Sequence, residues 1–188
     1  MTISINQVSR GTALKVNGGI FIIQAFEHVK PGKGSAFVRL TLKNIQTQQV
    51  LERTFKSSEK LDDVHLEEKP FQNLYDTAEG FMFMDMESFE QMEVTREVIG
   101  DDVKFLQENL QVKAFCYEGK VLKIELPIFI EADISHTEPG LKGDSSRAGN
   151  KPAQIETGAT IQVPLFIEIG EKVKIDTRTG EYVERVKQ

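Results

Sequence analysis

The sequence predicts an all-β protein built from three small barrel-like units in series, with one short helix in the middle unit. Three observations carry this prediction. Apolar and polar residues alternate with a period of two in many short segments, as expected for strands with one buried face. Turns rich in glycine, asparagine and aspartate separate these segments, and closing short strands into a barrel removes exposed sheet edges. A single segment, residues 100–110, has the apolar spacing of a helix.

Four strands are predicted in the first third of the chain, at residues 12–16, 20–26, 37–45 and 50–55. The first two form a hairpin, because the Asn-Gly pair between them adopts the positive φ angles of a tight turn. In the third strand, Val38, Leu40 and Leu42 point to one face and the polar residues between them to the other. The polar segment 56–63 is expected to be a linker or a surface loop.

Four strands are also predicted in the middle third, at residues 71–75, 81–85, 111–117 and 120–126. The helix at 100–110 has Asp101 or Asp102 as its N-terminal cap. Its apolar face consists of Val103, Leu106 and Leu110. The many carboxylates of this third, as in segment 85–93, are interpreted as a solvated acidic face rather than as an acid–base pair.

In the last third, strands are predicted at residues 128–134, 160–169, 171–177 and 181–186. A loop rich in glycine, serine and proline covers residues 135–153 between the first two of them. The polar segment 56–63 in the first third of the chain and Pro127 mark domain boundaries near residues 64 and 128. The expected domains are therefore 1–64, 65–128 and 129–188.

The charge is unevenly distributed along the chain. The net charge is −6, which argues against a general nucleic-acid binder. Residues 1–64, however, carry 9 basic and 5 acidic side chains, whereas residues 65–128 carry 6 and 14, and residues 129–188 carry 8 and 10. A basic first third on an acidic body suggests that the first third meets an anion. Ordinary solvated faces are the alternative interpretation.

The sequence contains no pattern typical of a catalytic, metal or cofactor site. His28, His65 and His136 are isolated, without the spacing of metal ligands, and no serine-nucleophile motif is present. The glycine-rich "PGKGS" lacks the hydroxyl residue directly after lysine that a phosphate-binding loop requires. The single cysteine, Cys116, is expected to be a buried hydrophobe. No apolar run could span a bilayer and no secretory signal is recognised, so we expect a cytoplasmic protein.

The stretch "EHVKPGKGSAF", residues 27–37, has more than a hairpin requires. Lys33 stands between Gly32 and Gly34, after Pro31, and a turn does not need a long cationic side chain at its tip. The residues alone leave two interpretations open. Lys33 is either an exposed, replaceable lysine or the functional end of the protein.

Three stretches resemble bacterial elongation factor P, and the likeness extends over nearly the whole chain. They are "VKPGKGSAF" (29–37), "KPAQIETGATIQVPLFIEIG" (151–170) and "IDTRTGEYVERV" (175–186). The second stretch meets the family's signature at eight positions: Lys151, Ala153, Gly158, Ile161, Val163, Pro164, Ile167 and Gly170. One departure is Ser145 in the Gly143-Asp144-Ser145 segment, where the family usually has threonine. Serine keeps the hydroxyl and loses a methyl group.

The resemblance implies an SH3-like, KOW-like first domain and two OB-type domains after it. It implies a translation factor, not an enzyme, that binds the 70S ribosome next to the P-site peptidyl-tRNA and relieves stalling at consecutive prolines. Lys33 would reach the peptidyl-transferase centre and steady the tRNA acceptor end, with Pro31, Gly32 and Gly34 supporting the hairpin. The equivalent lysine of the family is often modified, so a lysine-modifying enzyme is an implied partner. No cofactor, metal or membrane is implied, and a monomer is expected.

By the same resemblance, Tyr182 and Arg185 contact the sugar–phosphate backbone of the P-site tRNA. Gly143, Asp144 and Ser145 are the candidate mRNA contact. The alternative for "GEYVER" is a terminal strand with a buried tyrosine and an exposed arginine. The alternatives for the whole protein are a paralogue of elongation factor P with an altered hairpin and a general OB-fold RNA-binding module.

Overall fold

The computed structural model describes residues 2–30, 36–139 and 149–186. It confirms an all-β architecture of three sheets. The chain divides into two compact units, one formed by Met1–Lys69 with Ala114–Lys123 and the other by Pro70–Lys113 with Ile124–Gln188. Within the described ranges, no helix is long and apolar enough to cross a membrane.

The first sheet has six strands in the order β1-β6-β2-β3-β4-β5. Their bounds are β1 (Thr2–Ser4), β2 (Ala13–Val16), β3 (Gly19–Val29), β4 (Phe37–Asn44), β5 (Val50–Lys56) and β6 (Lys60–Val64). A 3₁₀ turn, Ile5–Gln7, follows β1. The predicted alternation in β4 is confirmed, since Val38, Leu40 and Leu42 are fully buried. The predicted turn is confirmed as well, because Asn17 and Gly18 have φ angles of 50° and 83°.

The prediction of a linker or surface loop at 56–63 was wrong except at residues 57–59, because Lys56 ends β5 and a further strand follows. Residues 60–64 form β6, which pairs with both β1 and β2. Leu61 and Val64 are each 6% exposed and belong to the core, whereas Asp62 on the same strand is exposed. Three of the five residues of β6 are charged, so the sequence pattern did not indicate a strand, although its two apolar residues pack in the core. The first barrel therefore has six strands where four were predicted.

A second apolar cluster of the first compact unit draws on a distant part of the chain. Ala13, Ile20, Ile45 and Val64 are buried there. The residues packed against them include Phe115, Tyr117 and Leu122. These come from a hairpin about fifty residues further along the chain than the last strand of the first sheet.

The second sheet has five strands in the order β11-β10-β7-β8-β9. Their bounds are β7 (Glu67–Asp76), β8 (Gly80–Asp85), β9 (Gln91–Thr95), β10 (Gln111–Tyr117) and β11 (Lys120–Glu125). Strand β9 begins within segment 85–93 and pairs with β8; Glu87, Glu90 and Glu93 are exposed, as a solvated acidic face requires, whereas Asp85 is buried. Gly80 lies so close to β9 that a Cβ there would stand 2.1 Å from the Val94 carbonyl oxygen.

The one short helix of the middle third begins earlier than the predicted segment 100–110. α1 (Arg96–Ile99) is followed by a 3₁₀ segment, Gly100–Phe105. The N-terminal cap position is Thr95, not Asp101 or Asp102. Gly100, with a φ of 68°, ends the α-helix, because this left-handed conformation does not continue it.

Residues 107–110 are not helical because their backbone groups bind elsewhere. The Asn109 N–H donates to the Asn73 carbonyl at 2.8 Å, and the Asn73 N–H donates to the Leu110 carbonyl at 3.0 Å. The buried Asn73 side chain also donates from Nδ2 to the Gln107 carbonyl at 2.9 Å. The predicted apolar face changes accordingly. Phe105 and Leu106 are buried, whereas Val103 and Leu110 are half-buried.

The third sheet has five strands in the order β14-β13-β12-β15-β16. Their bounds are β12 (Phe129–Thr137), β13 (Asn150–Ile155), β14 (Thr160–Pro164), β15 (Lys172–Asp176) and β16 (Glu181–Arg185). The prediction of one strand over 160–169 was too long, because β14 ends at Pro164 and the chain turns there. The predicted loop 135–153 is shorter than expected, since β12 and β13 extend into it from both ends.

Candidate functional site

We call residues 25–29 of β3 and 37–41 of β4 the hairpin arm; they are the paired strand ends nearest to Lys33 in the sequence. Lys33 itself, with Pro31, Gly32 and Gly34, lies outside the described residues. The last described pair of the arm is Val29 with Phe37. Counted along the sequence, Lys33 is the midpoint between these two residues.

The hairpin arm extends past the end of β2, so it has fewer neighbouring strands than the rest of the first sheet. β2 pairs with β3 as far as Ile22, whereas β4 pairs with β3 on to Val29. A register shift between Ile23 and Ala25 marks the change, and such bulges bend and twist a strand. On its other side, β4 pairs with β5 up to Phe37 opposite Lys56. The arm is therefore a three-stranded ribbon, and this is stiffer than an isolated hairpin.

The sides of the arm carry exposed polar and aromatic groups. Arg39 lies 3.7 Å from Glu27 across the β3–β4 pair, and both side chains are largely exposed. Phe26 and His28 make an edge-to-face ring contact with centroids 5.7 Å apart. Lys30, the last described residue before the connecting segment, is exposed.

The candidate mRNA contact, Gly143, Asp144 and Ser145, also lies outside the described residues. A lysine of β13 binds the residue that directly follows β12. Lys151 is only 7% exposed, and its Nζ donates to the Glu138 carbonyl at 2.7 Å. The sequence analysis placed Lys151 in the family signature without a role. Its burial could not be foreseen from the sequence, because lysine is rarely buried unless it has a partner.

Tyr182 and Arg185 lie on the edge strand β16, and a bulge brings them to one face. Tyr182 is opposite Ile175 and Arg185 is opposite Val173, with a register shift between Lys174 and Ile175. Residues three apart on a regular strand point to opposite faces. The extra residue at the bulge reverses this alternation, so Tyr182 and Arg185 share the face of the two buried residues that they oppose.

Arg185 is held by a carboxylate that the sequence analysis did not identify. Its Nη1 donates to Glu171 Oε1 at 2.8 Å, and the Arg185 side chain remains 49% exposed. The Glu168 backbone N–H donates to the other oxygen, Oε2, at 2.9 Å. These hydrogen bonds, the first from Glu168 and then that from Arg185, lower the pKa of Glu171 below its ordinary value, although burial opposes them. Glu171 directly follows Gly170, a glycine of the family signature, and this position is the sequence feature that could have pointed to it.

Tyr182 is half-buried and lines an open cleft of about 540 Å³. The other residues of the cleft are Asn150, Thr160, Ile161, Gln162, Pro164, Thr179, Gly180 and Glu181. The cleft thus lies between β14 and the turn that precedes β16, with amide and hydroxyl groups on its walls. Such groups can form hydrogen bonds with a polar ligand.

The turn before β16 is fixed by two side chains. Asp176 accepts a forked pair of hydrogen bonds from Arg178, with Nε at 3.0 Å and Nη2 at 2.6 Å. The hydrogen bonds from Arg178 lower the pKa of Asp176 and raise that of the guanidinium. Thr177 is 8% exposed, and its Oγ1 donates to the Pro127 carbonyl at 2.8 Å. The charge of Arg178 is therefore neutralised locally.

Other side chains with reactive or metal-binding groups are dispersed. Cys116 is buried, as predicted. Among the residues that the structure describes, no group of three or more His, Cys, Asp or Glu side chains is arranged to hold a metal ion.

Three family models match successive parts of the chain. Residues 4–61 match the elongation factor P KOW-like domain, residues 66–124 match the elongation factor P OB domain, and residues 130–185 match the elongation factor P C-terminal domain. The chain is 48% identical to elongation factor P of Moorella thermoacetica over 183 residues, which are 97% of this chain and 99% of that protein. It is 47% identical to elongation factor P of Caldanaerobacter subterraneus, over 98% of this chain and all of that one.

A solved structure supports the fold. The chain resembles the eukaryotic translation initiation factor 5A from Methanococcus jannaschii with a TM-score of 0.55 and 20% identity. The match covers 66% of this chain and 93% of that one. At this identity the likeness concerns the fold alone.

Proposed function

Since the chain belongs to the elongation factor P family of translation factors, we propose that it binds the 70S ribosome next to the P-site peptidyl-tRNA. Bound there, it stimulates peptide-bond formation and relieves stalling at consecutive prolines. It acts in the cytoplasm as a monomer and catalyses no reaction of its own. We also propose that its domains are 1–64, 65–128 and 129–188, and that a separate enzyme modifies Lys33.

The chemistry of proline explains why a factor of this kind is useful. The secondary, ring-constrained amine is a poor nucleophile, and a badly placed peptidyl-tRNA end slows its reaction further. A factor that holds the acceptor end in place lowers the barrier, because correct orientation is worth several kcal/mol. The factor needs an arm that is thin, stiff and cationic at its tip.

The register of the hairpin arm is the observation that supports this role most directly. The ladder of β3 with β4 runs to Val29 and Phe37, and Lys33 is the midpoint between them. β5 supports the ribbon to the same level. In our proposal, Pro31 stiffens the connecting segment, and Gly32 and Gly34 leave room for close approach to RNA. The ammonium of Lys33 then steadies the acceptor end.

A second contact is proposed on the third sheet. Tyr182 and Arg185 bind the sugar–phosphate backbone of the same tRNA, the tyrosine through its hydroxyl and the arginine through a charge-assisted hydrogen bond. Their position on one face of an edge strand supports a joint contact. Gly143, Asp144 and Ser145 are proposed to contact the mRNA.

The decisive experiment replaces Lys33 and compares it with a neighbouring lysine. Lys33→Ala should abolish relief of stalling on a Pro-Pro-Pro reporter in a reconstituted translation system, without affecting a reporter that lacks proline runs. Lys30→Ala, which removes an exposed lysine three residues away, should retain most of the activity. Both variants should melt at the wild-type temperature, because exposed substitutions change stability by about 0.5 kcal/mol or less. Wild-type relief of stalling by correctly folded Lys33→Ala protein would refute the proposal.

Two further measurements address the remaining alternatives. Affinity for isolated single-stranded RNA, compared with affinity for 70S ribosomes in the same salt, separates a general OB-fold module from a ribosomal factor. The intact mass of the protein from its native host, compared with the mass expected from sequence, reports whether Lys33 is modified.

A further inference from the structure

We propose that Glu171 is a positioning residue that holds the Arg185 guanidinium in the orientation in which it meets an RNA phosphate. This inference rests on the proposed contact of Arg185 with the tRNA backbone and adds a second residue to it. Glu171 would not touch the RNA. Its effect would be transmitted entirely through Arg185.

Glu171 is fixed at both of its carboxylate oxygens. Oε1 accepts from Arg185 Nη1 at 2.8 Å, and Oε2 accepts from the Glu168 backbone N–H at 2.9 Å. Its backbone is fixed as well, since its carbonyl accepts from the Ile134 N–H at 2.9 Å and its N–H donates to the Glu168 carbonyl at 3.3 Å. A residue held at four points, two of them on its carboxylate, is a rigid support for a flexible side chain.

The carboxylate is ionised when it meets Arg185. Hydrogen bonds from Glu168 and Arg185 lower its pKa, and the ammonium of the buried Lys151 contributes in the same direction. The Glu171 side chain is 27% exposed, so the ion pair is partly shielded from water. Charge-assisted hydrogen bonds of this kind are shorter and stronger than neutral ones.

Arg185 has donors to spare after this contact. A guanidinium has five N–H donors in a planar fork, and Glu171 takes one from Nη1. β16 is an edge strand, and the Arg185 side chain is 49% exposed. Fixing the fork before RNA arrives removes rotamer freedom that binding would otherwise have to remove.

A different role for Glu171 predicts a change in RNA affinity of the opposite sign when the residue is removed. If Glu171 only neutralised Arg185, its removal would free a positive charge and strengthen binding to RNA. If Glu171 orients Arg185, its removal weakens binding. The sign of the change in affinity therefore decides between the two roles.

The test measures the dissociation constant for 70S ribosomes that carry mRNA and a P-site peptidyl-tRNA, across a range of salt concentrations. Glu171→Ala should weaken binding about tenfold, the order of one charge-assisted hydrogen bond. Arg185→Ala should weaken it at least as much, and the double variant should match Arg185→Ala alone. Both single variants should reduce the salt slope by about 0.7–0.9, the value for one lost phosphate contact.

Three further variants control for charge and for folding. Glu184→Ala removes a carboxylate from the same strand, paired with Lys174 at 3.1 Å, and should leave affinity and salt slope unchanged. Glu171→Gln removes the charge and keeps one acceptor oxygen, which can take the Arg185 Nη1–H, whereas its Nε2 only donates and loses the bond from the Glu168 N–H; it should stay within about threefold of wild type. Glu171→Asp keeps the negative charge but is one methylene shorter, which draws the carboxylate away from Arg185. It should reproduce the loss of affinity even if the alanine variant fails to fold.

The outcomes separate this inference from the proposed function. If Arg185→Ala leaves binding unchanged, the tRNA contact of Arg185 is wrong and the role of Glu171 is wrong with it. If Arg185→Ala weakens binding but Glu171→Ala and Glu171→Asp match Glu184→Ala or bind more tightly, only the positioning role is overturned. A further loss of affinity on adding Glu171→Ala to Arg185→Ala would also overturn it.

Discussion

The buried hydroxyl of Thr177 is one of the groups that hold the turn leading into β16, and removing it tests how much it contributes. Thr177 Oγ1 donates to the Pro127 carbonyl at 2.8 Å, and the Thr177 N–H donates to the Ile128 carbonyl at 2.9 Å. Thr177→Val keeps the shape of the side chain and removes only the hydroxyl. A typical hydrogen bond contributes about 1 kcal/mol net, and a buried group that loses its partner costs about 1–3 kcal/mol. We expect the free energy of opening this turn to fall by about 1–2 kcal/mol.

Native-state hydrogen exchange of two amides measures this free energy locally. The Gly180 N–H donates to the Asp176 carbonyl at 2.8 Å, and the Val186 N–H donates to the Lys172 carbonyl at 2.9 Å. Where exchange reports the opening equilibrium, a loss of 1–2 kcal/mol accelerates it about 5- to 30-fold.

The matched control is Thr179→Val, two residues away in the same turn. The Thr179 hydroxyl is exposed and only accepts a 3.3 Å bond from the Glu181 N–H, so exchange should change by no more than about twofold. Equal acceleration in the two variants would show that the turn responds to any loss of a hydroxyl. Unchanged exchange in Thr177→Val would mean that the bond to Pro127 does not hold the turn.

Two other predictions concern stability. Gly80→Ala should destabilise the protein by about 3 kcal/mol in chemical denaturation, because its Cβ would stand 2.1 Å from the Val94 carbonyl oxygen and force β8 from β9. Gly119→Ala, which has open space but a φ of 75°, should cost only about 1–2 kcal/mol, and equal costs would contradict the steric argument. Hydrogen bonds from Arg178 lower the folded-state pKa of Asp176, so this pair contributes stability above the unfolded carboxyl pKa of about 3.9 and loses it as pH falls through the lower, folded pKa. Arg178→Ala should therefore flatten the decline of the melting temperature in acid, and an unchanged decline would refute the pair's contribution.

The parts of the fold that could be predicted are those in which local pattern and burial agree. Apolar and polar residues alternate along β4, and this pattern predicts the buried face that Val38, Leu40 and Leu42 form. The Asn17-Gly18 turn is predictable for a similar reason, because few residue pairs tolerate its φ angles. In both cases the information lies within a few residues.

The missed elements depend on partners that are distant in sequence. β6 is mostly charged and β9 is mostly polar, and each is a strand because a neighbouring strand offers it a ladder of hydrogen bonds. The predicted helix ends early because Asn73, far from it in sequence, binds the backbone of Asn109 and Leu110. Propensity is a weak prior when tertiary contacts of this kind compete with it.

The candidate site divides in the same way. The family motif identifies Tyr182 and Arg185, but a motif does not specify the bulge that puts them on one face. That bulge exists only in the pairing of β16 with β15. Glu171 was missed because its contact with Arg185 joins residues that are fourteen apart along the chain.

The packing of Phe115, Tyr117 and Leu122 against Ala13, Ile20, Ile45 and Val64 has a consequence for the order of events during synthesis. A nascent chain emerges N-terminal end first, and domains generally fold as they appear. The first sheet is complete once Val64 has emerged, yet one of its apolar clusters stays open to solvent until the hairpin at 114–123 follows. A fragment that ends at residue 69 should therefore expose apolar surface and associate with itself. Extending the fragment through residue 123 should make it monomeric.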